Sequence, residues 1–470
     1  MILPSKLMSL VNKIERGSKV DLNYMGVDCW PVVRNTFMSM ASPGFKKRAR
    51  KNSIKQFYLA IFDFLRLLFF SKHVDAIVLT DKKFQAKANG KLYYKDASVI
   101  KELLLSSGKS CHILTQNGPE RSNKKEKSSS ILMLTAMAVI ISKILRWLDF
   151  SQTTSNYLQN IYNCNELKSL GFENVQSCKK IEKNIYFVIV ASFLFGILLR
   201  RLRPKKSYIV CYYSCLGMAL CVACKKLNIE AIDVQHGVSG SSMRAYGRWA
   251  SIPVKGYNTL PKSFYCWTPI DVKAVESWSK KTSYHRVFFT GNIWRQYLVE
   301  RDKSTLPEEQ KLSKQVEGYK KVVLYTAQKK ELPKLLVDLI KQAPANIFFM
   351  IRLHPDASAH EMTLIAKKLD EAEINYSVFN ATKSRIHKVI QLADFHVTEW
   401  SAAVYDAYLE GLNSIVISPV GEDYFNDWIK LGVVRYSSSV LVTLSYLSAA
   451  GDESRGCSKS LDEVKAIVLG

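Results

Sequence analysis

The sequence predicts an α/β protein made of two parallel-sheet domains facing a central cleft. Three observations lead there. At 470 residues the chain is too long for one compact core. Its second half alternates β-rich runs with helical stretches, the pattern of βαβ units. Finally, an apolar run breaks into a histidine-bearing turn once in each half, at Asp233-Val234-Gln235-His236-Gly237 and Ile351-Arg352-Leu353-His354-Pro355. Ligands of open α/β sheets bind beyond the carboxyl ends of the strands, so both histidines are placed for a shared site.

In the first half the expected strands are 76–80, 112–115, 208–212, 231–234, 263–267 and 287–290. Residues 119–205 read as an insertion between them, a basic linker with two apolar segments. The boundary falls in the charged, weakly patterned stretch 301–317, giving domains 1–310 and 311–470. In the second domain strands are expected at 322–325, 346–353, 374–379, 394–398 and 414–418. Helices 332–342, 361–371, 384–391 and 402–410 alternate with them, and two more follow Tyr424 and Val440.

The net charge of +26 is unevenly spread. Residues 1–206 hold 35 Lys and Arg against 14 Asp and Glu, a net of +21, and the remainder is only +5. An anionic partner for the N-terminal half is therefore expected. Basic clusters at Lys46–Lys51, Arg121–Lys127 and Arg200–Lys206 each adjoin an apolar segment, at 54–70, 131–145 and 185–199. Buried helices need no polybasic flank, whereas helices lying on an anionic leaflet use one. A membrane surface is expected ahead of nucleic acid, for which no motif is present. Segment 185–199 falls short of the roughly 20 residues that cross a bilayer. The N-terminus lacks the apolar core of a signal peptide. Together these point to a cytoplasmic protein, peripheral on the inner face of the cell membrane.

The ten cysteines show no disulfide-framework spacing. Cys221 and Cys224 have zinc-knuckle spacing but fall within an expected helix, where they read as small buried residues.

Three constellations carry candidate chemistry. His236, flanked by Gln235 and Gly237, is a candidate general base on a turn whose glycine permits sharp bending and close approach of a ligand. A strand-capping histidine is the competing reading. Arg352 and His354 alternate onto one strand face, suited to diphosphate oxygens, with Pro355 ending the strand. The third is Glu399-Trp400-Ser401, where a strand end meets a helix start and free N–H groups favour phosphate. Ser401 caps that helix or binds the ligand. Asp406 and Glu410 lie one turn apart along it, positioned to accept from ribose hydroxyls.

These residues resemble GT-B-fold bacterial surface-polysaccharide transferases. The likeness is to CDP-glycerol glycerophosphotransferases and to the His-Pro-containing capsule sialyl and Kdo transferases, over roughly residues 208–436. The resemblance implies two Rossmann-like domains, the N-terminal one on the acceptor side and the C-terminal one binding the nucleotide donor. It implies His236 as the base activating an acceptor hydroxyl, and Arg352, His354 and Pro355 at the donor phosphates. The helix-start motif is matched imperfectly, since Ala402 stands where the family has a second serine. Gln328 falls on the first strand-to-helix loop of the C-terminal domain, near the expected donor. No Asp-x-Asp pair occurs at a strand end, so no metal and no cofactor are expected beyond the activated donor. The expected function is transfer of a nucleotide-activated sugar or polyol phosphate onto a lipid-linked or growing polysaccharide. A nucleotide-sugar epimerase or hydrolase of the same fold, or a non-catalytic membrane or nucleic-acid binding protein, are the alternatives.

Overall fold

A computed structural model describes residues 3–17, 22–41, 54–69, 71–116, 128–148, 156, 175–241, 243, 245–328, 331–354, 357–371, 375–448 and 459–470. The chain forms two compact units, one of Met1–Leu298 with Lys459–Gly470 and the other of Val299–Ser458.

The first unit is built on a seven-stranded parallel sheet of β1 (Ala76–Thr80), β2 (Cys111–Thr115), β3 (Ser128–Ser130), β4 (Lys206–Val210), β5 (Glu230–Val234), β6 (Ser263–Cys266) and β7 (Arg286–Phe289). The spatial order is β7-β6-β5-β4-β1-β2-β3. The chain therefore builds outward from β1 in one direction and returns to β1's other side at β4. β1, β4, β5 and β6 are buried along most or all of their length and read as continuous apolar runs, as strands covered on both faces do.

Helices α1 (Pro4–Gly17), α2 (Trp30–Ala41), α3 (Ile54–Phe69), α5 (Leu132–Leu148), α6 (Val175–Leu202), α7 (Cys215–Lys226) and α8 (Pro269–Ser279) belong to the cover of one face. On the other face lie α4 (Lys95–Leu105) and α9 (Ile293–Arg301), which begins in this unit, together with a helix at the chain's C-terminus. Cys221 and Cys224 are inside α7, fully buried, and burial raises both thiol pKa values.

Two sequence expectations change here. Residues 119–205 are not an insertion: β3 extends the sheet, and α5 and α6 are part of its helical layer. The long polar stretches around the short β3 hid that strand. α6 is long and apolar enough to cross a membrane, yet two-thirds of its apolar window is buried inside the unit. The basic clusters at 46–51 and 121–127 lie outside the described residues.

The C-terminal residues also return to the first unit rather than ending the second. Leu461, Val464 and Val468 bury one stripe of the final helix, Leu461–Leu469. Its last turn offers carbonyls to donors on the sheet, Val468 to Lys206 and Tyr208 at 2.9 Å and Ile467 to Tyr265 at 3.1 Å. A short helical pattern in the sequence carries no sign of which sheet it will cap.

In the second unit the parallel sheet comprises β8 (Lys321–Thr326), β9 (Ile347–Arg352), β10 (Tyr376–Ser377), β11 (Phe395–Thr398), β12 (Asn413–Val416) and β13 (Val434–Tyr436). Its order is β10-β9-β8-β11-β12-β13, the doubly wound arrangement with a switch point between the first and fourth strands. The helices used below are α10 (Pro307–Val316), α11 (Phe379–Lys383), α12 (Ala403–Leu409) and α13 (Pro419–Tyr424). Both units are Rossmann-like parallel α/β assemblies, the constitution expected of a GT-B chain.

Candidate functional site

In the first unit the switch point lies between β1 and β4, and three ring side chains converge just beyond the strand ends there. After β1, the Asp81 carboxylate accepts the Lys83 N–H at 2.9 Å and folds Lys82–Phe84 into a 3-10 turn. After β4, the chain passes through Cys211, at φ +73°, to Tyr213 and then to Ser214, whose hydroxyl caps α7. α7 starts so close that a Cβ on Gly217 would meet the Tyr212 carbonyl oxygen at 2.4 Å, so glycine is required there.

His236 emerges two residues beyond Val234, which is in register with both Val210 and Tyr265. Its Nε2 lies 3.0 Å from the Tyr213 hydroxyl, and the two rings stack at 22° with centroids 5.6 Å apart. Phe84 approaches edge-on at 4.9 Å. Nδ1 is buried without a hydrogen-bond partner among the described residues, and Nε2 is the ring nitrogen set against the Tyr213 hydroxyl. Burial, then the charges of Lys83 and Lys95, push the imidazole pKa down to about 3. The ring is therefore neutral, with its Nε2 engaged by a phenol that sequence reasoning did not single out. The only signal was the Tyr212-Tyr213-Ser214 run after a strand.

Gln235 is wholly buried and clamps the turn: its Oε1 accepts from Trp267 N at 2.8 Å, and its Nε2 donates to the Gly237 carbonyl at 3.0 Å. Gly237 differs from expectation. Its φ is not positive and nothing lies within 4 Å of where a Cβ would stand, so the backbone does not require glycine there. What glycine provides is open space beside His236.

The segment after His236 is fastened from beneath. Tyr246 donates to Asp233 at 2.8 Å, and burial raises that carboxyl's pKa to about 7. Glu15 accepts from Trp30 Nε1 at 2.9 Å and Ala250 N at 2.6 Å. Arg34, wholly buried, donates to the Arg248 carbonyl at 2.6 Å and lies 3.7 Å from the Trp249 ring. Helices α1 and α2 thus hold the loop that follows the candidate base. A buried arginine in an N-terminal helix gave no such sign in the sequence.

In the second unit the candidate residues occupy neighbouring strand ends around the switch point. Thr326 is in register with Arg352 on one side and Thr398 on the other. Gln328, His354 and Ser401 therefore follow β8, β9 and β11 at nearly the same level. Thr398 Oγ1 donates to the Thr326 carbonyl at 2.7 Å, and His396 lies between the Thr326 and Ser414 hydroxyls at 2.8 and 2.9 Å, locking these strands together. Gln328 is half-buried, His354 is exposed, and Pro355 lies outside the described residues.

Arg352 is largely occupied by its own unit. Its Nη1 donates to the carbonyls of Ala381, Thr382 and Ser384, closing the end of α11. Burial lowers its pKa to about 10, opposed by the nearby carboxylates of Asp406 and Glu309. Arg352 and Asp406 are thus brought together, while Arg352 and His354 diverge in surroundings.

Ser401 accepts the Ala403 N–H at 3.2 Å and donates its own N–H to Thr398 Oγ1 at 3.2 Å. Ser401 thus closes the turn one residue ahead of Ala402, which is the N-cap and makes no side-chain cap hydrogen bond, and α12 begins just beyond. Glu399 is buried; its carbonyl accepts from the Ser418 hydroxyl at 2.9 Å, and its side chain adds to burial in raising the pKa of Tyr325. Gly421 packs so tightly on that carbonyl that a Cβ would meet it at 1.9 Å, which fixes the β11–α12 turn against α13. Asp406 is within α12, but Glu410 is its C-cap rather than a helical residue.

These features define two Rossmann-like units, each with its polar candidates at the carboxyl edge of a parallel sheet. No family model matches the chain, and no curated protein does. Solved structures similar to it include an S. aureus MnaA–UDP co-structure, at 10% identity over 85% of this chain and 95% of that one, with a TM-score of 0.48. Another is UDP-GlcNAc 2-epimerase from Methanocaldococcus jannaschii, at 12% identity over 85% and 99%, TM-score 0.48. A third is Acinetobacter baumannii MurG, at 11% identity over 84% and 99%, TM-score 0.47. Likeness of this degree leaves the reaction open, and the chain's own residues have to carry it.

Proposed function

We propose that the chain is a metal-independent glycosyltransferase, or a polyol-phosphate transferase, acting on a nucleotide-activated donor. The acceptor is a lipid-linked or growing capsule- or O-antigen-type polysaccharide at the cytoplasmic face of the membrane. The observation that carries this reading is the second sheet's doubly wound strand order, with Gln328, His354 and Ser401 on the ends that flank its switch point. That is where open α/β sheets bind nucleotides.

In this reading the donor phosphates meet His354 and the turn at Ser401, while Arg352 contributes positive charge from behind and Asp406 faces the ribose. Leaving-group charge is stabilised by fixed donors, without a metal ion. The acceptor hydroxyl gives up its proton towards Tyr213 and His236 as it attacks the donor. Neither residue needs to change charge beforehand, since the imidazole is already neutral.

Thermal stabilisation by CMP, CDP, UDP and GDP tests the donor side. A nucleotide at about a hundred times its dissociation constant stabilises the protein by about 2.7 kcal/mol. One of the four is expected to do so, and His354→Ala is expected to weaken it. Stabilisation by none of them, or an affinity untouched by His354→Ala, contradicts the assignment. Turnover of the donor without any acceptor points instead to an epimerase or hydrolase.

A further inference from the structure

We infer that the outer faces of α3, α5 and α6 form one docking surface for an anionic lipid leaflet, entered from the side without a membrane span. The inference rests on the membrane side of the proposed function, and vesicle binding is read without donor or acceptor.

The surface follows from helical periodicity. In α5 the buried stripe is Leu134, Ala138 and Ser142, four residues apart. Ile140, Ile144 and Trp147 fall on the opposite side, also at helical spacing, so this helix has a second apolar face turned away from the core. Trp147 is 79% exposed. α5 packs against both neighbours, and each continues the face. On α3, Phe62, Leu65 and Phe69 share a stripe; on α6, Phe193 and Ile197 do, with Arg200 closing it at the next turn. Arg201 ties the ends of the two outer helices together, its guanidinium donating to the carbonyls of Leu68 at 2.9 Å and Phe69 at 3.2 Å. Scattered exposed apolar residues need no explanation, but three adjacent helices each presenting aromatic or β-branched side chains do.

The charge around this face selects its occupant. Arg66, Lys72, Lys143, Arg146, Arg200 and Arg203 lie along or beside it. Asp63 is the single carboxylate among the described residues of 62–72, 140–148 and 193–205, and burial raises its pKa. A second copy of this chain would set these cations against each other, whereas an anionic leaflet neutralises them while taking up the apolar stripe.

Sedimentation with vesicles tests the surface. The intact protein is mixed with phosphatidylcholine vesicles containing about 30% phosphatidylglycerol, and with pure phosphatidylcholine vesicles, at low salt. The wild type is expected to sediment with the anionic vesicles and much less with the neutral ones. The triple variant Phe62→Ser, Ile144→Ser, Trp147→Ser alters exposed positions only, and is expected to lose about tenfold in partitioning while keeping its melting temperature. The charge reversals Lys143→Glu and Arg200→Glu are expected to abolish the preference for phosphatidylglycerol. Absence of wild-type binding, binding undiminished in the triple variant, or a lipid-free dimer that the triple variant dissociates each overturns the inference. Lost binding with transfer intact on a detergent-solubilised acceptor separates failure of this surface from failure of the proposed chemistry.

Discussion

His236 is set up to stay uncharged. Burial and two flanking lysines hold its pKa near 3, so in the free protein the imidazole does not protonate as pH falls from 8 to 5. The Cε1 resonance of His236, assigned by its loss in His236→Ala, is expected to stay flat across that range; a midpoint near 6.5 contradicts the structure. A base this weak acts only when its partner shares the work, and the Tyr213 hydroxyl at 3.0 Å is that partner. Tyr213→Phe is expected to cut transfer by about tenfold or more while nucleotide affinity holds. Gly237→Ala, with open space where its Cβ enters, is expected to leave the melting temperature unchanged and to slow transfer by obstructing the approach to His236.

Individual elements are fixed by buried polar contacts, and these have consequences for stability. Arg385 pairs with Asp302 and Glu309, both at 2.6 Å, and joins the segment before α10 to the turn after α11. Arg385→Ala strips two buried carboxylates of their counter-charge, leaving them only the hydrogen bonds from Ser304, Leu306 and the residue 385 backbone, and is expected to lower the second unit's stability by about 2 kcal/mol, read from urea unfolding.

Buried histidines work in the other direction from the buried Asp233. His396 and His285 are neutral in the fold, with pKa values pushed down to about 3 and about 4 by burial. The unfolded chain binds protons at these sites near pH 6.5 and the native chain does not. Stability is therefore lost as pH falls from 6.5, by about 3 kcal/mol for each histidine by pH 4. Asp233 has a raised pKa, so its contribution is present at low pH and is lost as pH rises from about 4 to 7. Asp233→Asn is accordingly expected to remove that loss and to stabilise the protein at pH 8 more than at pH 5; the reverse order contradicts the buried acid.

The sequence made legible those elements with an unambiguous period, including all the strands from β8 to β12 and the turns that carry His236 and His354. It did not reveal strand order, because the register that brings Thr326, Arg352 and Thr398 level is a tertiary fact. It also misjudged Gly237, since a glycine's identity does not say whether backbone or space requires it.

At the scale of the whole molecule, two separately cored units follow from the chain's length and from its two sheets. Calorimetry is expected to resolve two transitions, with the bound nucleotide raising the one that belongs to residues 299–458. A single transition raised as a whole contradicts that independence. Part of the first half's excess positive charge, which composition alone displayed, lies in the cations bordering α3, α5 and α6.

In the proposed division of labour, donor binding belongs to the second unit and acceptor activation to His236 in the first. Nucleotide release from UDP-, CDP-, GDP- and CMP-activated donors, measured with membrane-derived acceptor for the wild type and His236→Ala, tests it most directly when nucleotide affinity is measured alongside. Release is expected to fall by about a hundredfold or more in His236→Ala with affinity unchanged. Release that survives the substitution, or affinity that falls along with it, contradicts the claim.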